Sequence, residues 1–346
     1  MYRYFRVILI NLLVLLCLIS VIELTFGYWF DEENFGPHLR EHRMRKTAYE
    51  VNYDGKKYDF VYKRNYYGLR GEDTDKKIES LIIGGSTVDE RYKPAKFTIT
   101  EILNQKLRKK NIDLIIYNAG IEGQSTRGHI YNHKYWFPKI KNFEPKFLIY
   151  YTGINDIFAE KENEFNLKDG MILGDNIIID NIKSRSFIYD SLRKIKHRYS
   201  TNDKKIQYDF DAAMKDEKNK NIEFLSYREF KKSKTNSIKK KYMNLVKVYL
   251  SRIDQLYELT LSMGAVPIFI NQLDATGYNN ERLVALNISL INHCKLKNYK
   301  CIDLSSKLEG KKDFWWDGIH TTPKGSLEIS KIIAPELERI IQNNRE

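Results

Sequence analysis

Short apolar runs alternate with amphipathic segments along most of the chain after residue 78. Five apolar runs predict buried strands, at 80–83, 113–117, 147–152, 266–271 and 301–304. Apolar residues recur at helical spacing between and after them, at 97–107, 129–137, 239–263, 283–295 and 323–341. Parallel strands need such crossovers, and an unbroken apolar run is typical of a strand buried on both faces. The pattern therefore predicts an α/β fold with a parallel sheet inside a three-layer α/β/α sandwich.

Residues 31–77 precede this pattern, and we interpret them as a separate lead-in. Two aromatic-rich runs, 49–53 and 58–62, flank the dipeptide Asp54-Gly55. Asp-Gly between strand-like runs is typical of a two-residue β-hairpin turn. We therefore expect a hairpin in the lead-in, ahead of the sheet domain.

The alternation fails again over residues 158–237, which are rich in Lys, Asp and Asn. We predict that the sheet domain spans 78–343 and carries this stretch as an insertion. Gly174-Asp175 predicts the turn of a hairpin over 171–180. A mixed-charge run over 214–241 is typical of a solvated helical face or a mobile insert. The alternative is a lid or substrate-recognition insert, because long excursions from a compact core are often functional.

The N-terminus carries a mostly apolar run over residues 7–30. A membrane span needs about 20 apolar residues, and aromatic residues flank this run on both sides, as at bilayer interfaces. Large residues follow it where a signal-peptide cleavage site would need small ones. We therefore expect a retained transmembrane anchor over 1–30. Basic residues occur on both sides, so charge does not set the orientation; the short N-terminal tail favours a signal anchor with the large domain outside the cytoplasm.

The net charge of +13, from 58 basic and 45 acidic residues, is consistent with attraction to a membrane surface. Nucleic-acid binding is not expected, because no recognition motif or basic stripe with interleaved aromatics occurs. Of three cysteines, Cys17 lies in the apolar run. Cys294 and Cys301 either form a disulfide or pack as thiols in the core. No cysteine or histidine spacing is typical of a metal site, and we predict neither metal nor cofactor.

Candidate site residues follow three of the predicted strands and precede the last helix. Ser86 comes directly after the first strand and Gly84-Gly85, Gly123 after the second strand, and Asn155 after the third. The carboxyl ends of parallel strands form the usual ligand-binding edge of an open sheet. We therefore expect these residues to lie close to one another.

A serine hydroxyl needs a base to accept its proton, and the base needs a partner that fixes its tautomer. His320 is the candidate base, and Asp317, three residues earlier, is its candidate partner. The developing oxyanion needs donors, for which the candidates are the amides of Ser86 and Gly123 and the side-chain amide of Asn155. Each motif alone is weak, but their order along the chain predicts a serine hydrolase.

Other candidates have simpler interpretations. His129 and His133 lie one helical turn apart, but Ile130 stands where a zinc-protease motif requires glutamate. Asp89 is interpreted as a first-turn helix charge rather than as a second catalytic acid. The two tryptophans at 315–316 are expected to pack at the start of the last helix, with sugar stacking as the alternative.

The candidate residues make the chain resemble the SGNH (GDSL-like) hydrolases, a family with sequence blocks that hold Ser, Gly, Asn and His. Ser86 matches the first block, Gly123 the second and Asn155 the third. Asp317 and His320, in Asp-Gly-Ile-His, match the last block. The resemblance implies an SGNH/flavodoxin-like sandwich and ester hydrolysis by a serine nucleophile.

One departure from the family pattern concerns the residue before the serine. The usual Gly-Asp-Ser is here Gly84-Gly85-Ser86. The missing aspartate is not part of the catalytic set, so we expect activity to survive. The lead-in behind a membrane anchor resembles bacterial members with an extracytoplasmic SGNH domain, which are often linked to acylation of cell-envelope polysaccharides.

Three functions remain open from the sequence. We favour an esterase that removes an acyl group, acetyl above all, from a cell-envelope glycan or lipid through an acyl-enzyme on Ser86. An acyltransferase would form the same acyl-enzyme and pass it to a sugar hydroxyl. A non-catalytic envelope scaffold is the third, which the complete set of candidate residues disfavours. The expected partners are an acylated substrate and the membrane.

Overall fold

The computed structural model of the chain describes residues 2–30, 45–158, 182–183, 185–199, 205–216 and 222–344. The central sheet has five parallel strands in the order β4-β3-β5-β7-β8. These strands are β3 (Ile78–Gly84), β4 (Ile116–Asn118), β5 (Phe143–Tyr151), β7 (Val266–Ile270) and β8 (Lys300–Ile302). The predicted parallel sheet is confirmed.

Helices cover both faces of the sheet. The described helices are α1 (Tyr2–Phe26), α2 (Ser86–Asp89), α3 (Ile99–Lys109), α4 (Thr126–Tyr135), α5 (Phe187–Tyr199), α6 (Phe210–Lys215), α7 (Thr235–Lys241), α8 (Met243–Ser262), α9 (Glu281–Lys297) and α10 (Pro323–Gln342). Apolar residues of α3 and α10 pack on one face of the sheet, and those of α4 and α8 pack on the other. The three-layer α/β/α fold is thus confirmed.

Alternation along β3 shows how one strand supplies both cores. Ile82 belongs to the cluster on the side of α3 and α10. Its neighbours Leu81 and Ile83 belong to the cluster on the side of α4 and α8. Successive side chains of a strand point to opposite faces, so an unbroken apolar run buries both faces at once.

The lead-in forms the predicted hairpin. Strands β1 (Arg45–Tyr53) and β2 (Lys56–Arg64) pair in antiparallel register around a two-residue turn. Asp54 and Gly55 both have positive φ, 52° and 65°, as the favoured hairpin turn requires. The hairpin prediction is confirmed.

A third strand from the predicted insertion completes a small sheet with this hairpin. Strand β6 (Ile206–Asp209) runs parallel to β1 on the side away from β2. Asp211, just beyond β6, accepts hydrogen bonds of 2.9 Å from the backbone amides of Asp54 and Gly55. The lead-in and the insertion therefore meet on one face of the molecule, a pairing that local sequence patterns do not reveal.

Other parts of the insertion pack onto the main core. Phe230 and Ile238 are buried there, and Phe224 stacks on Trp315 with ring centroids 5.6 Å apart. The mixed-charge run is therefore not only a solvated face. The hairpin predicted over 171–180 lies outside the described residues, and the proposed domain boundaries stay predictions.

Helix α1 is the one described helix long and apolar enough to cross a membrane. Its apolar side chains are exposed along almost its whole length. The helix covers the predicted span, and its composition fits either a membrane span or a signal anchor.

The structure decides between the two alternatives for the C-terminal cysteines. Cys294, near the end of α9, is joined by a disulfide to Cys301 in β8. Their Cα atoms are 6.2 Å apart, inside the usual range for a disulfide. The bridge ties a covering helix to the edge strand of the central sheet.

Candidate active site

The serine lies on a tight turn between β3 and α2. Strand β3 ends at Gly84, and Ser86 is the first residue of α2. Gly85 is extended, with φ −84° and ψ −150°, so it is not needed for a left-handed backbone. It is needed for space, because a Cβ at this position would overlap Nδ2 of Asn155. The absence of a side chain at Gly85 thus allows the turn that carries Ser86 to lie against Asn155.

Ser86, His320 and Asp317 form one hydrogen-bonded chain. Nε2 of His320 lies 2.8 Å from Oγ of Ser86, and Nδ1 lies 2.7 Å from Oδ2 of Asp317. A carboxylate at Asp317 can only accept, so Nδ1 carries the proton and Nε2 is free to accept from the serine hydroxyl. This is the arrangement in which an imidazole can take the hydroxyl proton.

The Asp317 carboxylate is held in place by its own turn. Its Oδ1 accepts hydrogen bonds from the backbone amides of Ile319, at 2.8 Å, and His320, at 2.6 Å. Burial on its own raises the pKa of Asp317, but the hydrogen bonds and charge of His320 together with the two backbone amides lower it below the usual range. Asp317 therefore stays ionised at neutral pH.

Three loops converge beside Ser86. Asn155 opens a short 3-10 turn, Asn155–Phe158, after β5, and its Nδ2 donates to the carbonyl of Gln124 at 2.9 Å. Gln124 follows Gly123, whose φ of 75° lies in the left-handed region that favours glycine. An amide group has two donors, and the bond to Gln124 uses one of them. The structure thus brings all five predicted site residues to the carboxyl edge of the sheet.

Two buried residues that sequence reasoning did not assign hold these loops together. Asp156 accepts from the amide of Thr126 at 3.0 Å and from its hydroxyl at 2.5 Å, which joins the Asn155 turn to the start of α4. Gln272 donates to the hydroxyl of Thr87 at 3.0 Å and accepts from the amide of Ile154 at 2.9 Å. In the sequence, Gln272 follows an apolar run that predicts a strand, which is the same pattern that marked Asn155 as a candidate.

Asp89 is more than a first-turn helix charge. It is buried at the end of α2 and pairs with Arg64 at 2.8 Å. Tyr62 donates its hydroxyl to the same carboxylate at 2.6 Å. Asp89 does lie in the first turn of α2, as interpreted, and two residues of the lead-in also reach its carboxylate from β2.

The two tryptophans have different environments. Trp315 is buried in the core, as predicted. Trp316 stacks on the imidazole of His320, with centroids 5.2 Å apart and planes 14° apart, and its ring also contacts Tyr92 and Tyr208. Trp316 therefore forms part of the wall beside the candidate base.

A recess opens in front of the serine. The described residues that line it are Ser86, Thr87, Asp89, Glu90, Arg91, Tyr92, Lys93, Glu122, Trp316, His320 and Thr321. Leu, Ile, Val and Met are absent from this described lining. Polar, charged and aromatic groups thus surround the space that a substrate would enter.

The histidine pair on α4 belongs to the core. His129 and His133 are buried, and burial lowers the pKa of His129 to about 3 and that of His133 to about 4. Nε2 of His133 lies 2.6 Å from the hydroxyl of Tyr150. Both rings are therefore neutral at physiological pH and serve as packing residues.

Comparison with known proteins relates this site to a protein family. Residues 218–333 match the model described as GDSL-like Lipase/Acylhydrolase. The matched segment covers about a third of the chain and is similar to a GDSL-like lipase/acylhydrolase domain. The predicted family resemblance is confirmed, and the chain is a hydrolase of the class that acts on esters. The matched residues include Asp317 and His320, whereas Ser86, Gly123 and Asn155 precede them.

Solved structures that are similar to the chain have low sequence identity to it. One is TesA, with 11% identity, 76% of this chain and 99% of that chain covered, and a TM-score of 0.44. Another is a putative lipolytic protein of the G-D-S-L family from Desulfitobacterium hafniense, at 12% identity, 75% and 99% coverage and a TM-score of 0.42. A third is the acetylxylan esterase Axe2 from Geobacillus stearothermophilus, at 15% identity, 75% and 96% coverage and a TM-score of 0.41. No curated protein sequence matches the chain.

Proposed function

We propose that the protein is a membrane-anchored serine esterase that removes a short acyl group, acetyl above all, from a glycan or lipid of the cell envelope. The observation that carries this proposal is the hydrogen-bonded chain from Ser86 through His320 to Asp317. A hydroxyl within 2.8 Å of an imidazole nitrogen, with a carboxylate on the other nitrogen, is the arrangement that activates a serine.

The reaction proceeds in two halves. Oγ of Ser86 attacks the ester carbonyl carbon while Nε2 of His320 takes the hydroxyl proton, and the carbonyl electron pair moves to the oxygen. The amides of Ser86 and Gly123 and the side chain of Asn155 are the proposed donors to that oxyanion. The imidazolium gives its proton to the departing alcohol, which leaves an acyl-enzyme. Water, activated by the same imidazole, then releases the acid and the free serine.

The lining of the recess supports a short acyl group on a polar substrate. Long acyl chains are bound by extended aliphatic surfaces, and the described lining contains none. Tyr92 and Trp316 line the recess with aromatic rings, which sugar rings commonly contact, and the ion pair of Arg91 with Glu122, at 2.6 Å, adds groups that can hydrogen-bond to hydroxyls. We therefore favour an acetylated sugar over a long-chain lipid as the substrate.

The disulfide and the N-terminal helix support a location outside the cytoplasm. Disulfides persist in oxidising compartments and are rare in the cytosol. Cys294–Cys301 lies in the same chain as α1, whose length and composition suit a membrane span. We propose that α1 anchors the protein and that the hydrolase domain faces the periplasm or the cell surface.

The test is turnover of p-nitrophenyl acetate by the full chain in detergent, beside Ser86→Ala and the control Ser262→Ala. Ser262 is exposed at the end of α8, so its removal leaves the site intact. We expect Ser86→Ala to lower kcat by about 10⁴–10⁶-fold and Ser262→Ala to leave it unchanged. Wild-type turnover by a folded Ser86→Ala variant would refute the nucleophile assignment.

A second set of measurements tests the length of the acyl group and the type of reaction. The wild type is compared on p-nitrophenyl acetate and p-nitrophenyl octanoate, and we expect acetate to be preferred because the recess lacks aliphatic lining. Preference for octanoate would contradict the short-acyl proposal. Product formation that requires an added sugar acceptor would favour an acyltransferase instead.

A further inference from the structure

Helix α5 exposes a narrow apolar strip. Tyr189, Leu192 and Ile195 follow one another at three-residue spacing and are 36%, 60% and 55% exposed. Residues three apart share one side of a helix, so these side chains form a continuous strip. Exposure of three large apolar side chains in one continuous strip to water is unfavourable, so we expect another surface to cover the strip.

The start of α5 is tied to the end of α1. Oε1 of Glu23, in the last turns of α1, accepts from the hydroxyl of Ser186 at 2.7 Å and from the amide of Ile188 at 3.1 Å. Oε2 accepts from the amide of Phe187 at 3.0 Å, and the rings of Phe26 and Phe187 lie 5.4 Å apart. One carboxylate thus satisfies two of the free amides that open α5.

Further contacts join the segments beside these two helices. The amide of Tyr28 donates to the carbonyl of Arg185 at 2.8 Å, and the guanidinium of Arg185 donates to the carbonyl of Trp29 at 3.0 Å. The indole of Trp29 donates to Glu23 at 2.9 Å. Because these residues follow directly on α1, α5 begins at the level where the apolar helix ends.

The charge of this segment is strongly positive. Residues 182–196 contain five basic side chains and one acidic side chain, Asp190. Lys194 pairs with Asp190 at 2.7 Å, which leaves an excess of four positive charges. Basic side chains on an amphipathic helix are attracted to anionic lipid headgroups, while the apolar strip enters the acyl boundary.

We propose that α5 lies in the headgroup layer of the membrane that α1 spans, with an anionic phospholipid surface as the partner of its apolar strip. The inference rests on the proposal that α1 is the membrane anchor. The tie through Glu23 places α5 at the interfacial end of α1, and the apolar strip with its excess of basic residues has the chemistry of that layer. The protein then contacts the bilayer at two joined elements.

Spin labels on the full chain in vesicles test this placement. The chain carries Cys17→Ser, keeps its disulfide, and receives a single label through Leu192→Cys or Ile195→Cys. Leu13→Cys, in the middle of α1, reports the anchor, and Ser262→Cys reports the solvated domain. The vesicles contain phosphatidylcholine with a minority of phosphatidylglycerol. Accessibility to oxygen and to a water-soluble nickel chelate gives the depth of each label.

We expect labels at 192 and 195 to favour oxygen over the chelate and to lie about 5–10 Å below the phosphates, with a shallower position in pure phosphatidylcholine. The label at 13 is expected deeper, and the label at 262 is expected in water. If the labels at 192 and 195 are as accessible to the chelate as the label at 262 while the label at 13 lies deep, the α5 proposal alone is overturned. Labels at 192 and 195 shielded from both reagents would show a protein contact and overturn it too. A water-accessible label at 13 would refute the anchor, and the α5 proposal with it.

Discussion

Nη2 of Arg64 donates to Oδ1 of Asp89 at 2.8 Å, which joins the second lead-in strand to the helix that begins at Ser86. The same guanidinium donates to the carbonyl of Gly120, in the loop after β4, and to that of Gly68 at 2.6 Å. Both partners of the ion pair are buried. The lead-in is therefore part of the support of the candidate nucleophile rather than a spacer between anchor and domain.

Loss of this guanidinium is expected to destabilise the fold. In Arg64→Ala, the buried carboxylate of Asp89 keeps only the more distant Arg91, at 3.7 Å, as an ion-pair partner. Breaking a buried ion pair costs about 3–5 kcal/mol in the free energy of unfolding. Urea denaturation followed by circular dichroism measures this change. Lys77→Ala, which removes an exposed pair with Glu144, is the matched control; an equal change in both variants would contradict the supporting role of Arg64.

The stability of the protein is expected to fall in acid through Asp89. Burial raises the pKa of this carboxyl, but the charges of Arg64, Arg91 and Arg70 lower it below the usual range. A group with a depressed folded pKa stabilises the fold above its unfolded pKa, about 3.9 for aspartate, and this contribution is lost as the pH falls through the folded value. Urea midpoints measured from neutral pH down to about pH 2, well below the unfolded pKa, report the loss. Arg64→Ala should lose less stability over the same interval, and an identical pH dependence would contradict the assignment to this pair.

Removal of the Asn155 side chain is expected to lower kcat with little change in KM. Its Nδ2 lies beside Gly85 and donates to Gln124, which aims the amide into the turn that carries Ser86. A donor that acts mainly on the developing oxyanion contributes to the transition state, and its loss costs about 10²–10³-fold in kcat. Steady-state kinetics of Asn155→Ala on p-nitrophenyl acetate checks this, with the exposed Gln105→Ala as control. A change confined to KM would argue against the oxyanion role.

Restoring the family's usual aspartate before the serine is expected to impair the enzyme. A Cβ at Gly85 would overlap Nδ2 of Asn155 and approach the carbonyl of Gln124 to 3.2 Å. Asn155 is the flexible partner, so the variant should fold while the proposed oxyanion donor is displaced. We expect Gly85→Asp and Gly85→Ala to lower kcat by about 10²-fold or more, approaching the loss in Asn155→Ala. Because both changes act on one group, Gly85→Ala combined with Asn155→Ala should lose little beyond Asn155→Ala alone; additive losses would refute the shared cause.

Strand positions illustrate how far local patterns reach. All five central strands overlap the apolar runs that predict them, because such runs are shielded from water only inside a sheet covered on both faces. Strand β4 is shifted, to Ile116–Asn118 from the predicted 113–117. The side chain of Asn104, on α3, donates to the carbonyl of Ile116 and accepts from its amide, both at 2.9 Å. A side chain from another element thus marks where this strand begins.

The sequence by itself determined the layers of the fold, the hairpin turn at Asp54-Gly55, and the set of Ser86, Gly123, Asn155, Asp317 and His320 as candidates. These features follow from short-range rules: apolar periodicity, the backbone freedom of glycine, and the shared edge at which parallel strands end. Only the tertiary structure decided that β6 joins the lead-in, that Asp89 is paired with Arg64, and that α5 begins on Glu23. Each of these contacts joins residues at least 25 positions apart. A buried charge needs an opposite charge, and an unpaired strand edge needs hydrogen-bond partners. Which distant residues meet these needs depends on how the whole chain packs, and local sequence does not set it.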